Sequence, residues 1–422
     1  MESAASKRKV IAWAFYDFAN SAFGTLALTF VYSAYFTKAI AENETIGTSQ
    51  WSRAVTLSAI VIAIVSPFLG CLADRRNLRA PLLLAFTLIA ILSTAGLYYP
   101  LPGEVFLALA IFFVANTAYE LGIVFYNAYL PDLATEETIG RISGWAWGLG
   151  YIGGVACTVI ALVGFIDAEP PWFGFGTEAG ENIRATNLLV AVWFALFATP
   201  LFLSVRGATT SASNAPTAPG PTFRATLREL RRYPQMGRFL LARLIYNDGL
   251  VTIFAFGGIY AAGTFDFSFR EIMVFGIAAN ISAGLGAFAM GYVDDRWGGK
   301  RTILATIALF IVATAFVSIT PHKIGFWIGG LAISAFAGPN QSASRSLMGR
   351  FIPKEKANEF YGFFAFSGKI TAFLGPLLLG ELTRIFDSQR IGVASVALFF
   401  IIGGLLLLRV DERKGITESS PP

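Results

Sequence analysis

Six ionisable side chains lie inside stretches of sequence that are otherwise apolar enough to enter a lipid bilayer. A charge at the bilayer centre costs roughly 2.5–3.5 kcal/mol on insertion scales, so such residues usually face a water-filled cavity and pair with one another. A lysine can hold a carboxylate, and an acid can hold an ammonium group or, when desolvated, take a proton. The three acids and three bases are Asp17, Glu120, Asp248, Arg243, Arg345 and Lys369.

The position of each residue along its apolar stretch, at about 1.5 Å per residue, separates the six into two layers. The layer in the cytoplasmic third, predicted to form a gate or ion pair, holds Asp17, Arg243 and Arg345, with Asn20 one turn from Asp17. The layer near the middle, predicted to bind substrate, holds Glu120, Asp248 and Lys369, with Asn116, Asn247, Asn340 and Gln341 as hydrogen-bonding neighbours. We expect Asp17 to pair with Arg243 or Arg345.

A site built from two acids and one lysine suits a zwitterion such as an amino acid. Lys369 would hold the carboxylate, and Glu120 or Asp248 would hold the ammonium group. Glu120 is also predicted to couple transport to protons, because desolvation and a nearby lysine act on a carboxyl in opposite directions. The structural alternative stays open for both layers: the charges neutralise one another and fix helix packing.

The composition identifies an integral membrane protein. Hydrophobic residues make up 55% and charged residues 14% of the 422, and the mean hydropathy is +0.61, whereas soluble domains are about a quarter charged. The net charge of +5 is dispersed through short loops, which argues against nucleic-acid binding. One histidine and two cysteines within apolar runs give no metal site and no disulfide framework, so we expect no cofactor.

Because backbone groups in lipid must be satisfied within each segment, the apolar runs of about 20 residues are predicted to be transmembrane helices. The twelve predicted spans are 11–36, 53–73, 80–99, 105–130, 142–165, 187–205, 239–263, 271–293, 302–320, 324–349, 359–383 and 391–408. The predicted domains are a six-helix bundle at 1–205, a cytoplasmic linker with a short amphipathic helix at 206–237, a second six-helix bundle at 238–410 and a flexible tail at 411–422.

The distribution of basic residues predicts the orientation. Most of the 32 Lys and Arg residues fall on the loops that share a side with the N-terminus, including the run KRK at 7–9. Basic loops stay on the cytoplasmic side. We therefore expect a multi-pass protein of the plasma membrane, the inner membrane if the source is bacterial, with both termini in the cytoplasm.

One loop motif occurs twice. GCLADRRNLR at 70–79, the first signature loop, and GYVDDRWGGKR at 291–301, the second signature loop, share the pattern G-x-x-x-D-R. Glycine lets helix ends approach closely, and an aspartate at the membrane edge can accept hydrogen bonds from the N-terminus of a neighbouring helix. We expect a latch, with a basic lipid anchor as the alternative. The residues concerned are Gly70, Asp74, Arg75, Gly291, Asp295 and Arg296.

The second signature loop resembles the G-x-x-x-D-R-x-G-R-R loop of the major facilitator superfamily. WAFYDFANSAF at 13–23, NAYLPDLATEETIGRISGWAWGLGYIGG at 127–154 and the segment 338–376 together resemble the Unknown Major Facilitator family, which is related to the fungal autophagy-linked vacuolar effluxers of amino acids. The resemblance implies an all-α fold of two pseudo-symmetric six-helix bundles that rock about a central site. It also implies that helices 1, 4, 7 and 10 line the cavity and helix 11 flanks it.

Three functions are compatible with these features. The first is a secondary transporter or facilitator for a small polar metabolite, with protons as coupling ion, the lipid bilayer as surroundings and a monomer as the working form. The second is a lipid or amphiphile translocator, which needs an apolar lateral groove. The third is a membrane receptor, which predicts a sizeable soluble sensor domain. A G-x-x-x-x-G-K-[ST] loop and a nucleophile–base set are both missing from the sequence, which excludes an ATP-driven pump for this chain and argues against an enzyme.

Overall fold

The computed structural model describes residues 4–205, 228 and 230–419, and within these ranges the regular structure is helical. Each of the twelve predicted spans coincides with a helix or a chain of helical segments. The helices are α1 Ala4–Ala22, α2 Glu44–Arg76, α3 Arg79–Gly96, α4 Val105–Asn127, α5 Ile139–Ala161, α6 Glu181–Val205, α7 Pro234–Phe265, α8 Phe269–Trp297, α9 Gly299–Ile319, α10 Lys323–Phe351, α11 Ala357–Lys369, α12 Leu374–Phe386, α13 Gln389–Leu408 and α14 Glu412–Ser419.

Ten helices among the described residues are long and apolar enough to cross a membrane. The segments that carry predicted spans 1 and 10 are not among these ten, because both carry polar residues within the span. In α10 the apolar first half gives way to the run Asn340–Ser346, which contains Arg345. The two spans that fall short in hydropathy, 1 and 10, are therefore spans that carry predicted gate residues, Asp17 and Arg345.

The first span is not a continuous α-helix. After α1 the chain continues as a wider π-helix over Phe23–Phe30, bends at Val31 and ends in a second π-helix over Phe36–Ile40. Thr29 donates from its Oγ1 to the carbonyl of Gly24 at 2.7 Å, five residues earlier. Such π-segments are rare and are frequently found at functional sites.

The eleventh span is divided into two helices. α11 ends at Lys369, and α12 begins at Leu374 after a turn. Pro376 has no N–H, and its ring would clash with the carbonyl of the residue four positions earlier in a continuous helix. The break leaves the first N–H groups of α12 without partners from their own helix, so other groups must satisfy them.

Two compact units divide the chain. The first comprises Met1–Val65, Arg75–Tyr126 and Leu149–Thr217, and the second comprises Ser66–Asp74, Asn127–Gly148 and Ala218–Pro422. The predicted bundles 1–205 and 238–410 fall mainly in the first and second unit, respectively. Two short segments of the first half, the end of α2 and the start of α5 with the residues before it, belong to the second unit. The predicted linker falls largely on 206–227 and 229, outside the described residues.

An aromatic core fills the first unit. The rings of Trp51 and Phe112 have centroids 4.0 Å apart, and Phe36 and Tyr32 pack against the same indole. In the second unit a smaller cluster gathers the buried rings of Tyr260, Phe265, Phe267 and Phe326. Each core draws its rings from more than one helix of a single unit.

Within the predicted tail at 411–422, the described residues include the helix α14. α14 packs on the second unit, where the carboxylate of Glu412 accepts hydrogen bonds from the N–H groups of Gly299 at 2.9 Å and Lys300 at 3.1 Å. Negative charge is favourable at the N-terminus of a helix, here α9. Burial raises the pKa of the Glu412 carboxyl, against the opposing influence of Arg350 and of these N–H groups.

Candidate functional site: two capped helix ends and a polar cluster

The aspartate of the first signature loop caps a helix. Asp74 Oδ2 accepts a hydrogen bond from the N–H of Glu359 at 2.8 Å, and Oδ1 accepts from the N–H and Nδ2 of Asn358 at 3.2 and 2.6 Å. These donors lie in the first turn of α11, where the N–H groups have no intrahelical acceptor. A Cβ at Gly70, one turn earlier, would lie 2.8 Å from the Cα of Glu359, so this approach requires glycine.

The aspartate of the second signature loop makes the same contact with α5. Asp295 Oδ1 accepts from the N–H groups of Gly140 at 2.8 Å and Arg141 at 3.2 Å. A Cβ at Gly291 would lie 2.9 Å from the Cα of Arg141. The basic residues that follow the two aspartates, Arg75 and Arg296, are exposed. Both loops therefore present a carboxylate to a helix N-terminus, which is the contact that the motif suggests.

A buried ion pair next to the second loop was not predicted from the sequence. Asp294 is 1% exposed, and its Oδ1 lies 2.7 Å from Nη1 of Arg350 on α10. Ser346 donates its hydroxyl to the other carboxylate oxygen. The Arg350 guanidinium also lies 3.9 Å from Asp295 and from Glu412. The available signal in the sequence was the extra aspartate of GYVDDRW, Asp294, which stands where GCLADRR has Ala73.

Arg345, predicted for the cytoplasmic gate, is buried against the start of α5. Its Nε donates to Ser143 Oγ at 2.9 Å, and Nη2 donates to the Ser143 carbonyl at 2.8 Å. Nη1 reaches Asn127 Oδ1 at 3.4 Å, and the guanidinium lies 5.6 Å from the Trp147 ring centroid. Asp17 belongs to the first unit, so its pairing with this arginine stays a prediction.

Arg243, the other predicted gate residue, joins α7 to the end of α11. Its Nη1 donates to the carbonyl of Phe364 at 2.8 Å and to Ser367 Oγ at 2.9 Å. The guanidinium carbon lies 3.6 Å from the centroid of the Phe364 ring, a cation–π contact. The guanidinium is thus held flat at a fixed position inside the second unit.

A chain of amides joins three helices one turn beyond Arg243. Gln341 of α10 donates from Nε2 to Asn247 Oδ1 at 3.0 Å, and Asn247 of α7 donates from Nδ2 to the carbonyl of Gly368 at 3.2 Å. The next residue, Lys369, is half-buried at the end of α11. We define the polar cluster as the four side chains in these contacts, Arg243, Asn247, Gln341 and Ser367, together with Lys369, which follows Gly368 in the chain.

Two predicted binding residues lie apart from the cluster contacts. Asp248 is 1% exposed, and both of its oxygens lie 3.3 Å from the N–H of Gly375 in the first turn of α12. Asn340 is fully buried and donates from Nδ2 to Thr306 Oγ1 of α9 at 2.8 Å. The sequence placed Asn340 and Gln341 in one layer of binding residues. In the helix these adjacent residues project in different directions and contact different neighbours.

The remaining predicted residues belong to the first unit. Asn116 donates from Nδ2 to Ser58 Oγ at 2.7 Å, between α4 and α2. Glu120 is half-buried on α4 and Asp17 is half-buried on α1. Asn20, one turn from Asp17, is 3% exposed, and its Nδ2 has no acceptor among the described residues. Their roles in gating and binding stay predictions.

The fold is shared with solved transporters of the major facilitator superfamily. The structure of the fucose:proton symporter FucP of E. coli aligns with a TM-score of 0.70, at 14% sequence identity, over 96% of this chain and 98% of that chain. The likeness shows the fold, so the chain has the helical fold of the major facilitator superfamily. The predicted fold class is confirmed.

Comparison of the amino-acid sequence with known families identifies the family of this chain. Residues 48–420 match the family described as "Vacuole effluxer Atg22 like", and the chain belongs to this family. The "Uncharacterized MFS-type transporter YxiO" of Bacillus subtilis (strain 168) is 26% identical over 407 residues, which cover 95% of this chain and 94% of that protein. "Autophagy-related protein 22-1" of Penicillium rubens is 22% identical over 311 residues, 65% of this chain and 50% of its own length. The resemblance stated from the sequence is confirmed.

Proposed function

We propose that this transporter moves a small polar metabolite, with amino acids as the leading substrate class. The polar cluster is the observation that carries the proposal. It brings two amides, a hydroxyl and two basic side chains from three helices to the middle of the second unit. Polar and charged groups at this depth mark a substrate pathway more often than a packing contact.

The cluster offers the groups that an amino acid needs. Lys369 supplies a positive charge for a carboxylate, and the Arg243 guanidinium beside Ser367 adds positive potential. The amide chain engages one N–H of Asn247 and one of Gln341. Each amide has two N–H donors and a carbonyl oxygen, so donor and acceptor capacity remains for a zwitterion.

The lipid translocator is the less favoured alternative. A path for lipid tails needs an apolar groove, whereas the cluster residues carry amides and charges. The family description, a vacuole effluxer, supports movement of a solute out of a compartment. We further propose that the chain works as a monomer in the plasma membrane with both termini cytoplasmic, as the distribution of Lys and Arg predicts.

The two signature loops are proposed to act as latches. Each contact is a carboxylate on a helix N-terminus, which is strong enough to favour one arrangement and weak enough to be released during transport. Proton coupling through Glu120 stays a prediction. If Glu120→Gln leaves pH-driven transport in proteoliposomes unchanged, Glu120 has no coupling role.

A thermal-shift screen tests the substrate proposal. The purified protein is heated with amino acids, sugars, organic acids and short-chain lipids in turn. A ligand that binds the folded state at 100 times its Kd stabilises it by about 2.7 kcal/mol and raises the Tm. We expect an amino acid to raise the Tm of the wild type and to have no effect on Lys369→Gln.

The control for this screen is Lys323→Gln. It removes one positive charge from the same unit but at the start of α10, where Lys323 contacts Glu271 at 2.9 Å. The control variant should respond to the ligand as the wild type does. A lipid that raises the Tm when every polar metabolite fails would contradict the proposal and support the alternative.

A further inference from the structure

Asp248 is a buried carboxyl that the proposed substrate site does not use. It lies near the middle of the 32-residue helix α7 and is 1% exposed. Its contact is one N–H, that of Gly375, at 3.3 Å from both oxygens. This distance is beyond the usual 2.7–3.2 Å range for an N–H···O hydrogen bond, so the contact compensates little negative charge.

No ion pair to Asp248 exists among the described residues. Charged side chains do lie on α7 and on the helices that pack against it. On α7 itself the basic residues are Arg238 and Arg243. On the other helices they are Arg270, Glu271, Asp294, Asp295 and Arg296 of α8, Lys323, Arg345 and Arg350 of α10, Glu359 and Lys369 of α11, Glu381 and Arg384 of α12, Arg390 of α13, and Glu412, Arg413, Lys414 and Glu418 of α14.

An ionised carboxylate in this position is costly. Burying a charge without a counter-charge is far more expensive than burying a polar group, and protonation removes the charge. A metal cation is the other way to compensate it, but the described residues contain no group of three or more His, Cys, Asp or Glu side chains that could hold one. A proton needs no further ligands, so it is the cation that suits a single carboxylate.

We propose that Asp248 is a proton-binding site, neutral in the arrangement seen here and ionised when water reaches the break between α11 and α12. The inference rests on the proposed transport function and names its coupling ion. A proton from water on the side to which the site opens adds to a carboxylate oxygen. It leaves to water from the same oxygen when the site opens to the other side, and no other bond is made or broken.

The break between α11 and α12 connects protonation of Asp248 to how firmly α12 is held. Gly375 is able to donate to Asp248 because α12 starts afresh at Leu374. An ionised Asp248 would hold this N-terminus through a charge-assisted hydrogen bond and the helix dipole, and a neutral one would hold it less tightly. A side chain at Gly375 would collide with Thr252 Oγ1, so α12 and α7 already approach as closely as glycine allows. The charge on Asp248 thus sets how tightly α12 is held.

Infrared spectroscopy of the full-length protein in lipid bilayers tests the proposal without a substrate. A protonated carboxyl gives a C=O stretch that disappears on ionisation. We expect the difference spectrum of wild type minus Asp248→Asn to contain such a band, sensitive to pH, because the two proteins share every other carboxyl, including Glu412. Glu381→Gln removes an exposed acid that contacts Arg384 and should keep the band. A difference spectrum without a pH-sensitive carboxyl band would overturn the proposal.

Two further measurements, isotope labelling and sodium addition, complete the test. If Asp248→Asn does not fold, carboxyl-labelled aspartate in the wild type must shift the band, and a band that does not shift rules out aspartate. Sodium ions added at constant pH should leave the band unchanged, and a band lost on sodium addition would overturn a proton-specific site. Because no substrate is present, a failed ligand screen and a failed infrared test remain distinguishable.

Discussion

The two signature loops make the same hydrogen bonds in different electrostatic surroundings. Asp74 caps α11 and Asp295 caps α5, each through two consecutive backbone N–H groups. The residue before Asp74 is Ala73, whereas the residue before Asp295 is Asp294, which is buried in an ion pair with Arg350. The comparison teaches that the repeated motif specifies a helix cap, and that a single added acid turns one copy into the centre of a buried charge network.

Removing the arginine of this network should have the largest effect. Arg350→Met leaves Asp294 buried without its counter-charge, and breaking a buried pair in this way costs about 3–5 kcal/mol. We expect a large drop in Tm, measured on the purified protein in detergent. The double variant Asp294→Asn with Arg350→Met removes both charges and should recover much of the loss. A single variant as stable as the wild type would show that the pair contributes nothing.

The two caps can be compared directly with matched substitutions. Asp74→Ala and Asp295→Ala each remove a cap, and loss of a capping side chain costs about 0.5–2 kcal/mol. Asp295→Ala should cost more than Asp74→Ala, because Asp295 also lies 3.9 Å from the buried Arg350 guanidinium. Chemical denaturation of both variants under one condition measures the difference. A larger loss of stability in Asp74→Ala than in Asp295→Ala would mean that the charge network around Arg350 does not strengthen the cap made by Asp295.

Substitution of the glycine in the first loop is expected to have an effect comparable to loss of a cap. A Cβ at position 70 meets the α11 backbone at Glu359, so Gly70→Ala must push the two helices apart. Overpacking of this kind costs roughly 1–3 kcal/mol. The measurement is again the Tm, with Gly380→Ala as the control because a Cβ there meets nothing within 4 Å. Equal Tm values for both variants would contradict the close approach.

The smallest expected effect concerns the pH dependence at Glu412. Because burial raises the pKa of this carboxyl, the folded state favours the protonated form. Its contribution to stability is present below the ordinary pKa of about 4.3 and is lost as the pH rises through the raised value. The Tm of the wild type relative to Glu412→Gln should therefore fall from acidic to neutral pH. A difference that is constant with pH would show that Glu412 does not titrate in this range.

The sequence predicted the helices because long apolar runs have one solution in a bilayer. The twelve spans needed only hydropathy and length, and the family resemblance supplied their arrangement. The break in the eleventh span was beyond this reasoning, because Gly375-Pro376 is compatible with a bend as well as with a complete interruption. The π-helical continuation of α1 depends on hydrogen bonds five residues apart, for which the segment Phe23–Phe30 has no compositional signal.

The site residues were predictable by type but not by partner. Asp74 and Asp295 could be assigned to helix ends, because the motif states where the carboxylate lies. The partners of Asn340, Arg345 and Asp294 depend on which helices pack together and at what rotation, and one sequence does not contain that information. Asp248 shows the same limit, since its contact with Gly375 exists only because the eleventh span is broken.

Transport of the ligand identified by the screen tests the central claim most directly. The wild type, Lys369→Gln and Lys323→Gln would be reconstituted in proteoliposomes, and exchange of a radiolabelled amino acid across the bilayer would be measured. The polar cluster predicts exchange by the wild type and by Lys323→Gln, and at least a tenfold loss, about 1.4 kcal/mol, in Lys369→Gln. Undiminished exchange by Lys369→Gln would place the substrate elsewhere and contradict the assignment of the polar cluster.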